Sequence, residues 1–321
     1  MEKELSFTSE GLQLQGTLSL PDSSDILGAV LLIPGSGQID RNENNRKFKS
    51  NIFNEISEEL AVNYFASFRY DKRGVGESEG DYWKTGFYDH VTDASSATSF
   101  LKSLPQLQGK PLFILGHSEG AMISMRLAAD EPGLAGAILL AGSAQNGEAT
   151  LRWQAAKIAK GLTGFSALLV RLFHIDVTEA QAKALSKIKR SSKDWMRQNL
   201  FQKINAKWMR EFIAYDPADD LKRIRIPVLA ITGSKDIQVN PADLKRMAEL
   251  IQGEYEYHEI PDMTHVLRAD SGRPSMSTYK EQISRPVDPR LRGFIDTWLR
   301  KMVHERSTVS REPKPEMSRA V

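Results

Sequence analysis

Short apolar runs alternate with amphipathic stretches along most of the chain. Four mostly apolar runs lie at residues 29–33, 65–70, 111–115 and 136–141. Such short runs are typical of strands that are buried on both faces of a sheet. Residues 227–232 predict a fifth strand of this kind, and residues 254–260 predict a sixth.

Helical periodicity fills the gaps between these strands, at residues 51–63, 89–103, 120–130 and 240–251. Strands that alternate with helices predict an α/β fold, in which helices flank a mostly parallel central sheet on both sides. At the start of the chain, residues 4–20 alternate with period two around Glu10 and Gly11, which predicts a hairpin.

The segment from 149 to 213 interrupts this rhythm. Its composition is helical, and it lies between the fourth and the fifth predicted strand. We therefore expect a core formed by residues 1–148 and 214–304, with a helical insertion at 149–213. Residues 305–321 are polar and contain two prolines, so we expect a disordered tail there.

The insertion is basic. It contains thirteen Lys or Arg and four Asp or Glu, a net charge of +9, so the rest of the chain carries −7 out of a total of +2. An apolar stripe with four- and three-residue spacing predicts a helix, at Leu151, Ala155, Ile158, Leu162, Phe165, Leu169 and Leu172. Three interpretations stay open: a lid with a solvated basic face, basic residues that attract an anionic acyl substrate, or a surface that contacts anionic lipid.

Composition excludes several function classes. The chain has 321 residues and no cysteine, which rules out disulfides, thiolate metal sites and a cysteine nucleophile. A formal charge of +2 does not indicate a nucleic-acid binder. The first residues lack the basic start and apolar core of a signal peptide, and no apolar run approaches the roughly 20 residues that span a bilayer. A cytoplasmic protein is the expectation.

A candidate nucleophile lies where the third apolar run ends. Residues 116–120 read Gly-His-Ser-Glu-Gly, and a helical pattern follows at once. A sharp strand-to-helix turn lifts the serine away from its own chain and imposes unfavourable backbone angles on it. Glycines at 116 and 120 allow neighbouring backbone to approach closely. We therefore predict that Ser118 is a nucleophile; an ordinary turn with a capping serine is the alternative.

The partners of such a serine follow it along the chain, the acid first and then the histidine. His265 lies in a loop just after the last predicted strand, which makes it the candidate base. Asp236 follows the preceding strand and is the candidate acid, with Asp262 as the second choice. His117 is expected to point away from the nucleophile, and His90 and His304 are expected to be solvated.

An oxyanion needs two backbone donors. One is expected from Glu119, the residue after the nucleophile. The other is expected from Ser36, because the loop after the first buried run reads Pro34-Gly35-Ser36-Gly37 and its glycines let the backbone bend.

Together these motifs resemble the α/β-hydrolase family, in its esterase and serine-aminopeptidase-like branch. The resemblance covers roughly residues 4–300 apart from the insertion, and it includes Asp40-Arg41-Asn42, residues 70–78 (YDKRGVGES) and residues 226–236 (IPVLAITGSKD). It implies the α/β-hydrolase fold, with the insertion as a cap over the site. Many relatives carry His-Gly where this chain has Pro34-Gly35; because the donors are backbone groups, we expect the oxyanion hole to survive.

The residues and the resemblance predict a serine hydrolase that cleaves carboxylic esters through an acyl-enzyme intermediate, with Ser118, Asp236 and His265 as its catalytic triad. A peptidase, amidase, thioesterase or acyltransferase with the same triad is the alternative, and a catalytically silent binding protein is a third class. The expected partner is a small-molecule acyl substrate. No metal or organic cofactor is implied, because the carboxylates form no ligand cluster and the glycine loops match no nucleotide-binding pattern.

Overall fold

The computed structural model describes residues 1–161, 177–197 and 202–309. Its main sheet has eight strands, namely β1 Glu2–Ser9, β2 Leu12–Ser19, β3 Gly28–Ile33, β4 Phe65–Tyr70, β5 Leu112–His117, β6 Gly136–Leu140, β9 Val228–Gly233 and β10 Tyr255–Ile260. They lie side by side in the order β1-β2-β4-β3-β5-β6-β9-β10. The six strands from β4 to β10 in this order run parallel, while β1 and β2 are antiparallel to each other and β2 is antiparallel to β4.

The predicted hairpin is present as β1 and β2. Glu10 and Gly11 form its two-residue turn, and both have positive φ angles, of 47° and 83°. Positive φ at both central positions matches the twist of the flanking strands. The glycine accepts this conformation without strain, because it has no Cβ.

Helices cover both faces of the sheet. They are α1 Ile52–Val62, α2 Phe87–Ser103, α3 Glu119–Asp130, α4 Gly147–Gly161, α5 Val177–Lys189, α6 Ala206–Ala214, α7 Pro217–Leu221, α8 Asp243–Leu250, α9 Tyr279–Gln282 and α10 Pro289–Val309. Alternate residues of β3 enter two different cores. Leu31 packs in the core with α2 and α3, and Leu32 packs in the core with α1 and α10. This alternation explains why the inner parallel strands β3, β5, β6 and β9 are apolar at most positions, whereas the edge strand β10 is half-exposed.

The insertion at 149–213 contains more than helices. Besides α4, α5 and α6, it forms a two-stranded antiparallel hairpin of β7 (Trp195–Arg197) and β8 (Lys203–Asn205). The helical expectation is therefore too simple, because a three-residue strand is too short to show a period. In the apolar stripe, Leu151, Ala155 and Ile158 lie half-buried on α4. Leu162, Phe165, Leu169 and Leu172 lie outside the described residues.

The last helix, α10, extends to Val309. The first five residues of the segment 305–321, for which disorder was expected, are therefore helical, and residues 310–321 lie outside the described range. Arg306 helps to explain the difference, because it donates to the carbonyl oxygen of Ala135 in the body of the fold at 3.4 Å. Among the described residues, no helix combines the length and apolar character needed to cross a bilayer.

Candidate active site

Ser118 lies at the turn between β5 and α3. Its backbone has φ 56° and ψ −114°, outside the regions that L-residues usually adopt. The flanking glycines make this turn feasible. A Cβ at Gly116 would lie 2.0 Å from the carbonyl oxygen of Gly120, and a Cβ at Gly120 would lie 1.9 Å from that of Ile33. The close packing predicted for both glycines is therefore present.

Three predicted residues meet at the carboxyl edge of the sheet, where parallel strands commonly place their sites. The Nε2 of His265 lies 3.1 Å from the Oγ of Ser118. The Nδ1 of His265 lies 2.8 Å from Oδ2 of Asp236. The other oxygen of Asp236 accepts the backbone N–H groups of Gln238 and Val239, at 2.7 and 3.0 Å. Asp236 and His265 are both buried. The hydrogen bonds to Asp236 therefore hold its carboxylate in an orientation that faces the imidazole.

Asp262, the second choice for the acid, does not contact this imidazole. Its side chain is exposed and forms an ion pair of 2.8 Å with Lys235. Like other residues of tight turns, it adopts a positive φ, of 61°.

The other histidines are placed in different ways. His304 is exposed, as expected. His90 is buried rather than solvated, because it lies on the face of α2 that also carries Asp93, Ala94 and Ala97 into the core. Burial, together with the nearby charges of Lys72 and Arg73, lowers the pKa of His90 well below its ordinary value. His174 lies outside the described residues.

The two predicted backbone donors flank the serine. Within the described part of the chain, the N–H groups of Ser36 and Glu119 donate to no protein acceptor. The loop that carries Ser36 is held from both sides at Gly35. The N–H of Gly35 donates to Oε1 of Glu43 at 2.7 Å, and its carbonyl oxygen accepts a hydrogen bond from Nζ of Lys72. Both N–H groups are therefore available to a ligand.

The side chain of Glu119 has a structural task that sequence reasoning missed. Its Oε2 forms an ion pair of 3.0 Å with Lys72, and both side chains are almost fully buried. Its Oε1 accepts a hydrogen bond from the indole Nε1 of Trp208 in α6. Because Lys72 also holds Gly35, one buried ammonium ties the two donor segments together. The motif at residues 70–78 was the available signal, since it places Lys72 just after β4.

His117 and Glu43 form a second buried pair beside the triad. The Nδ1 of His117 lies 2.7 Å from Oε2 of Glu43, and its Nε2 lies 3.0 Å from the backbone oxygen of His265. The ring of His117 thus points away from Ser118, as expected, but it contacts the loop of the candidate base. The centroids of the two imidazole rings are 5.1 Å apart.

The charges of this pair support each other. Burial opposes ionisation of both groups, yet the charge and the hydrogen bond of the partner outweigh it. The pKa of Glu43 is therefore lowered, with a further contribution from the N–H of Gly35. The pKa of His117 is raised by Glu43 and by the bond to the His265 carbonyl oxygen. Both ring nitrogens of His117 face an acceptor, and the raised pKa favours the imidazolium, for which Glu43 is the counter-ion beside Ser118, Asp236 and His265.

The motif Asp40-Arg41-Asn42 folds the loop that delivers Glu43. Oδ1 of Asp40 accepts the N–H groups of Asn42 and Asn44, both at 2.9 Å. Arg41 forms a buried ion pair of 2.7 Å with Asp71, at the end of β4. Glu43 has a φ of 62°, which turns the chain at this point. The motif is visible in the sequence, but its role in placing Glu43 against His117 is not, because these two residues are remote from each other along the chain.

A cavity of about 150 Å³ opens beside the serine. Its lining combines the site residues with apolar side chains, namely Ile39, Phe48, Ile52, Val266 and Tyr279. Gln238 also lines it and accepts a hydrogen bond of 3.1 Å from Gln154 in α4. Within the described ranges, no three His, Asp or Glu side chains are grouped as a metal site.

Comparisons with known proteins agree with this architecture. The esterase EstD of Thermotoga maritima is 27% identical over 290 residues, which cover 90% of this chain but 66% of that esterase, just under two thirds of its length. Est1E from Butyrivibrio proteoclasticus superposes with a TM-score of 0.62 at 14% identity, covering 94% of this chain and 99% of that one. A proline iminopeptidase from Mycobacterium smegmatis also gives 0.62 at 14% identity, covering 95% and 100%.

At such low identity the two solved structures show the fold alone. Residues 47–272 match the family described as serine aminopeptidase, S33 (Hydrolase_4). These residues comprise more than half of the chain and include Ser118, Asp236 and His265. The chain therefore belongs to this serine aminopeptidase family of α/β hydrolases.

Proposed function

We propose that the protein is a serine hydrolase that cleaves carboxylic esters through an acyl-enzyme intermediate. The observation that carries the proposal is the continuous chain of hydrogen bonds from Ser118 through His265 to Asp236. The family and the esterase relative from Thermotoga maritima support the same reaction class.

The reaction would proceed in two halves. His265 takes the proton of Ser118 as the serine oxygen bonds to the ester carbonyl carbon, and the carbonyl oxygen becomes an oxyanion. The N–H groups of Ser36 and Glu119 are the donors that we assign to this oxyanion. The C–O bond to the alcohol then breaks, and His265 gives its proton to the leaving oxygen. In the second half, His265 deprotonates a water molecule that attacks the acyl carbon. As the bond to the serine oxygen breaks and the acid leaves, His265 gives this proton back to Ser118.

Asp236 serves this cycle by holding one imidazole tautomer and by stabilising the imidazolium that forms twice. The oxygen of Asp236 that does not face the imidazole accepts hydrogen bonds from the backbone N–H groups of Gln238 and Val239, which hold the carboxylate in place. The insertion acts as the cap in this proposal, because Gln154 contacts Gln238, which lines the cavity of Ser118, and Trp208 contacts Glu119.

Ester cleavage is favoured over aminopeptidase activity by the charges around the serine. An aminopeptidase must bind the α-ammonium group of its substrate, for which a free carboxylate is the usual partner. In the described lining of the cavity, the one carboxylate is that of Glu43, and both of its oxygens are already engaged by Gly35 and His117. A cationic substrate would therefore lose solvation without gaining a counter-ion.

The test compares 4-nitrophenyl butyrate with an aminoacyl 4-nitroanilide. We expect turnover of the ester, little or none of the anilide, and loss of ester turnover in Ser118→Ala, together with loss of labelling by a fluorophosphonate probe. Thr264→Ser, a conservative change in the same loop as His265, serves as a folding control. Unchanged ester turnover in Ser118→Ala would show that another group is the nucleophile.

A further inference from the structure

A larger cavity, of about 500 Å³, adjoins the one beside Ser118. Ser36 lines both cavities, so the proposed oxyanion donor stands at their junction. The loop after β3 forms one wall, and the turn at Tyr82 and Trp83 forms another. The third wall comes from β8 and the start of α6, with Lys203, Ile204, Asn205, Trp208 and Met209. A volume of this size is typical of pockets that bind small molecules.

The wall of this larger cavity is positively charged. Arg46, Lys47 and Lys203 line it, and its described lining contains no Asp or Glu. Other cations of the fold are matched differently: Arg41 and Arg73, for example, each have a carboxylate partner within 2.7 Å. The three cavity cations form no ion pair with a carboxylate in the described part of the chain, so their charge is uncompensated by the protein.

Lys203 is held in place by aromatic rings. Its Nζ lies 4.3 Å from the ring centroid of Trp83 and 4.1 Å from that of Trp195. A cation between two indole faces is attracted by their electron density. Trp83 and Trp208 also give the cavity an apolar aromatic surface. The same space therefore offers apolar contact and positive charge.

We propose that this larger cavity binds the anionic part of the substrate, and that the preferred substrates are esters with an apolar body and a free carboxylate remote from the scissile bond. The inference rests on the proposed ester hydrolysis. An ester carbonyl bound at Ser36 has the larger cavity next to it, and uncompensated cations there attract a carboxylate and repel a cation.

The direct test uses two matched pairs of esters. The first compares the 4-nitrophenyl monoester of adipic acid with 4-nitrophenyl hexanoate, so the carboxylate is on the acyl side. The second compares the butyrate ester of 4-hydroxybenzoate with that of 4-hydroxybenzamide, so the carboxylate is on the leaving group. We expect a kcat/KM ratio of about ten in favour of the anion in one pair, as for a hydrogen bond to a charged group.

Variants then locate the effect. Lys203→Gln, and separately the double variant Arg46→Gln with Lys47→Gln, should each lower that ratio several-fold. The ratio is the readout because it cancels any general change in folding or in the reactivity of Ser118. Lys245→Gln is the matched control, since Lys245 is an exposed lysine on α8 and lines neither cavity. Ratios at or below one in both pairs, or ratios unaffected by all cavity variants, would overturn the inference.

A binding measurement separates this inference from the proposed reaction. Calorimetry on Ser118→Ala should detect adipic acid monoanilide binding more tightly than hexananilide, and Lys203→Gln should remove most of the difference. Equal binding of the two anilides, with turnover of neutral esters in the wild type, would overturn the substrate inference and leave the ester reaction standing. Selective binding without turnover of any ester would instead overturn the proposed reaction.

Discussion

Replacement of Glu43 by glutamine tests the buried pair beside the triad. The carboxylate uses both oxygens, one for the N–H of Gly35 and one for Nδ1 of His117, each at 2.7 Å. The amide of glutamine keeps the shape but removes the charge that balances the imidazolium. Removal of one charge from a buried ion pair lowers the free energy of unfolding by about 3–5 kcal/mol, because the other charge stays buried without a partner. Because the amide oxygen still accepts one hydrogen bond, we expect a loss at the lower end, of about 3 kcal/mol.

The pH dependence of this loss has a definite sign. Glu43 has a lowered pKa, so its contribution to stability is complete above its ordinary value of 4.5 and is lost as the pH falls through the lowered pKa. His117 has a raised pKa, so its contribution is complete below 6.5 and is lost as the pH rises through the raised pKa. Between these limits the pair is fully formed. The wild type should therefore lose stability as the pH rises above 6.5 and through the raised pKa of His117, whereas Glu43→Gln should not show this decrease.

The assay is urea unfolding of Glu43→Gln and the wild type at a series of pH values from 6.5 upward. Glu259→Gln is the control, because Glu259 is an exposed carboxylate on β10. Ester kinetics add a second readout. A donor loop that shifts by about 1 Å lowers kcat by up to about 10²-fold, with a smaller effect on KM. A stability loss no larger than that of the control, or an unchanged pH dependence, would refute the role given to the pair.

Three further experiments address the candidate acid, the strand-to-helix turn at Ser118, and the buried ion pair of Lys72 and Glu119. Asp236→Asn should lower kcat for an ester by about 10⁴-fold, because an amide favours the wrong imidazole tautomer; Asp262→Asn should stay within about twofold of the wild type, and equal losses in the two variants would refute the choice of acid. Gly120→Ala places a methyl group 1.9 Å from a carbonyl oxygen of β3, so thermal unfolding should show a loss of about 3 kcal/mol or more; a wild-type melting temperature would contradict the close packing. A double-mutant cycle of Lys72→Met and Glu119→Gln should give a coupling energy of about 1–3 kcal/mol in unfolding, since each single variant strands a buried charge; additivity within about 0.5 kcal/mol would contradict this.

The sequence predicts the inner part of the sheet well because the strands β3, β4, β5, β6 and β9 are buried on both faces. Burial on both faces demands apolar side chains at nearly every position, and that requirement is visible without any knowledge of the partner strands. The strand-to-helix turn at Ser118 is equally legible, since the backbone contacts at Gly116 and Gly120 exclude any side chain. Local chemistry of this kind is encoded locally.

The two buried ion pairs near Ser118 cannot be predicted from the local sequence in this way. Glu43 and His117 are 74 positions apart, and Lys72 and Glu119 are 47 apart. Nothing in their local sequence marks a charged side chain as buried, because burial here depends on which strands become neighbours. His90 shows the same limit: it reads as a polar helix residue, and the packing of α2 takes it into the core. The short strands β7 and β8 escape prediction because three residues carry too little periodicity.

The hydrogen bond from the indole of Trp208 to Glu119 bears on how α6 can move. Any movement that lifts α6 breaks the hydrogen bond to Glu119 and deprives a buried carboxylate of one of its donors. The loss of a hydrogen-bond donor to a buried carboxylate raises the free energy of the protein, so the position of α6 that keeps this hydrogen bond has the lower free energy. The insertion is thus joined to the residue that follows Ser118, and any movement of α6 away from the fold has to break this hydrogen bond.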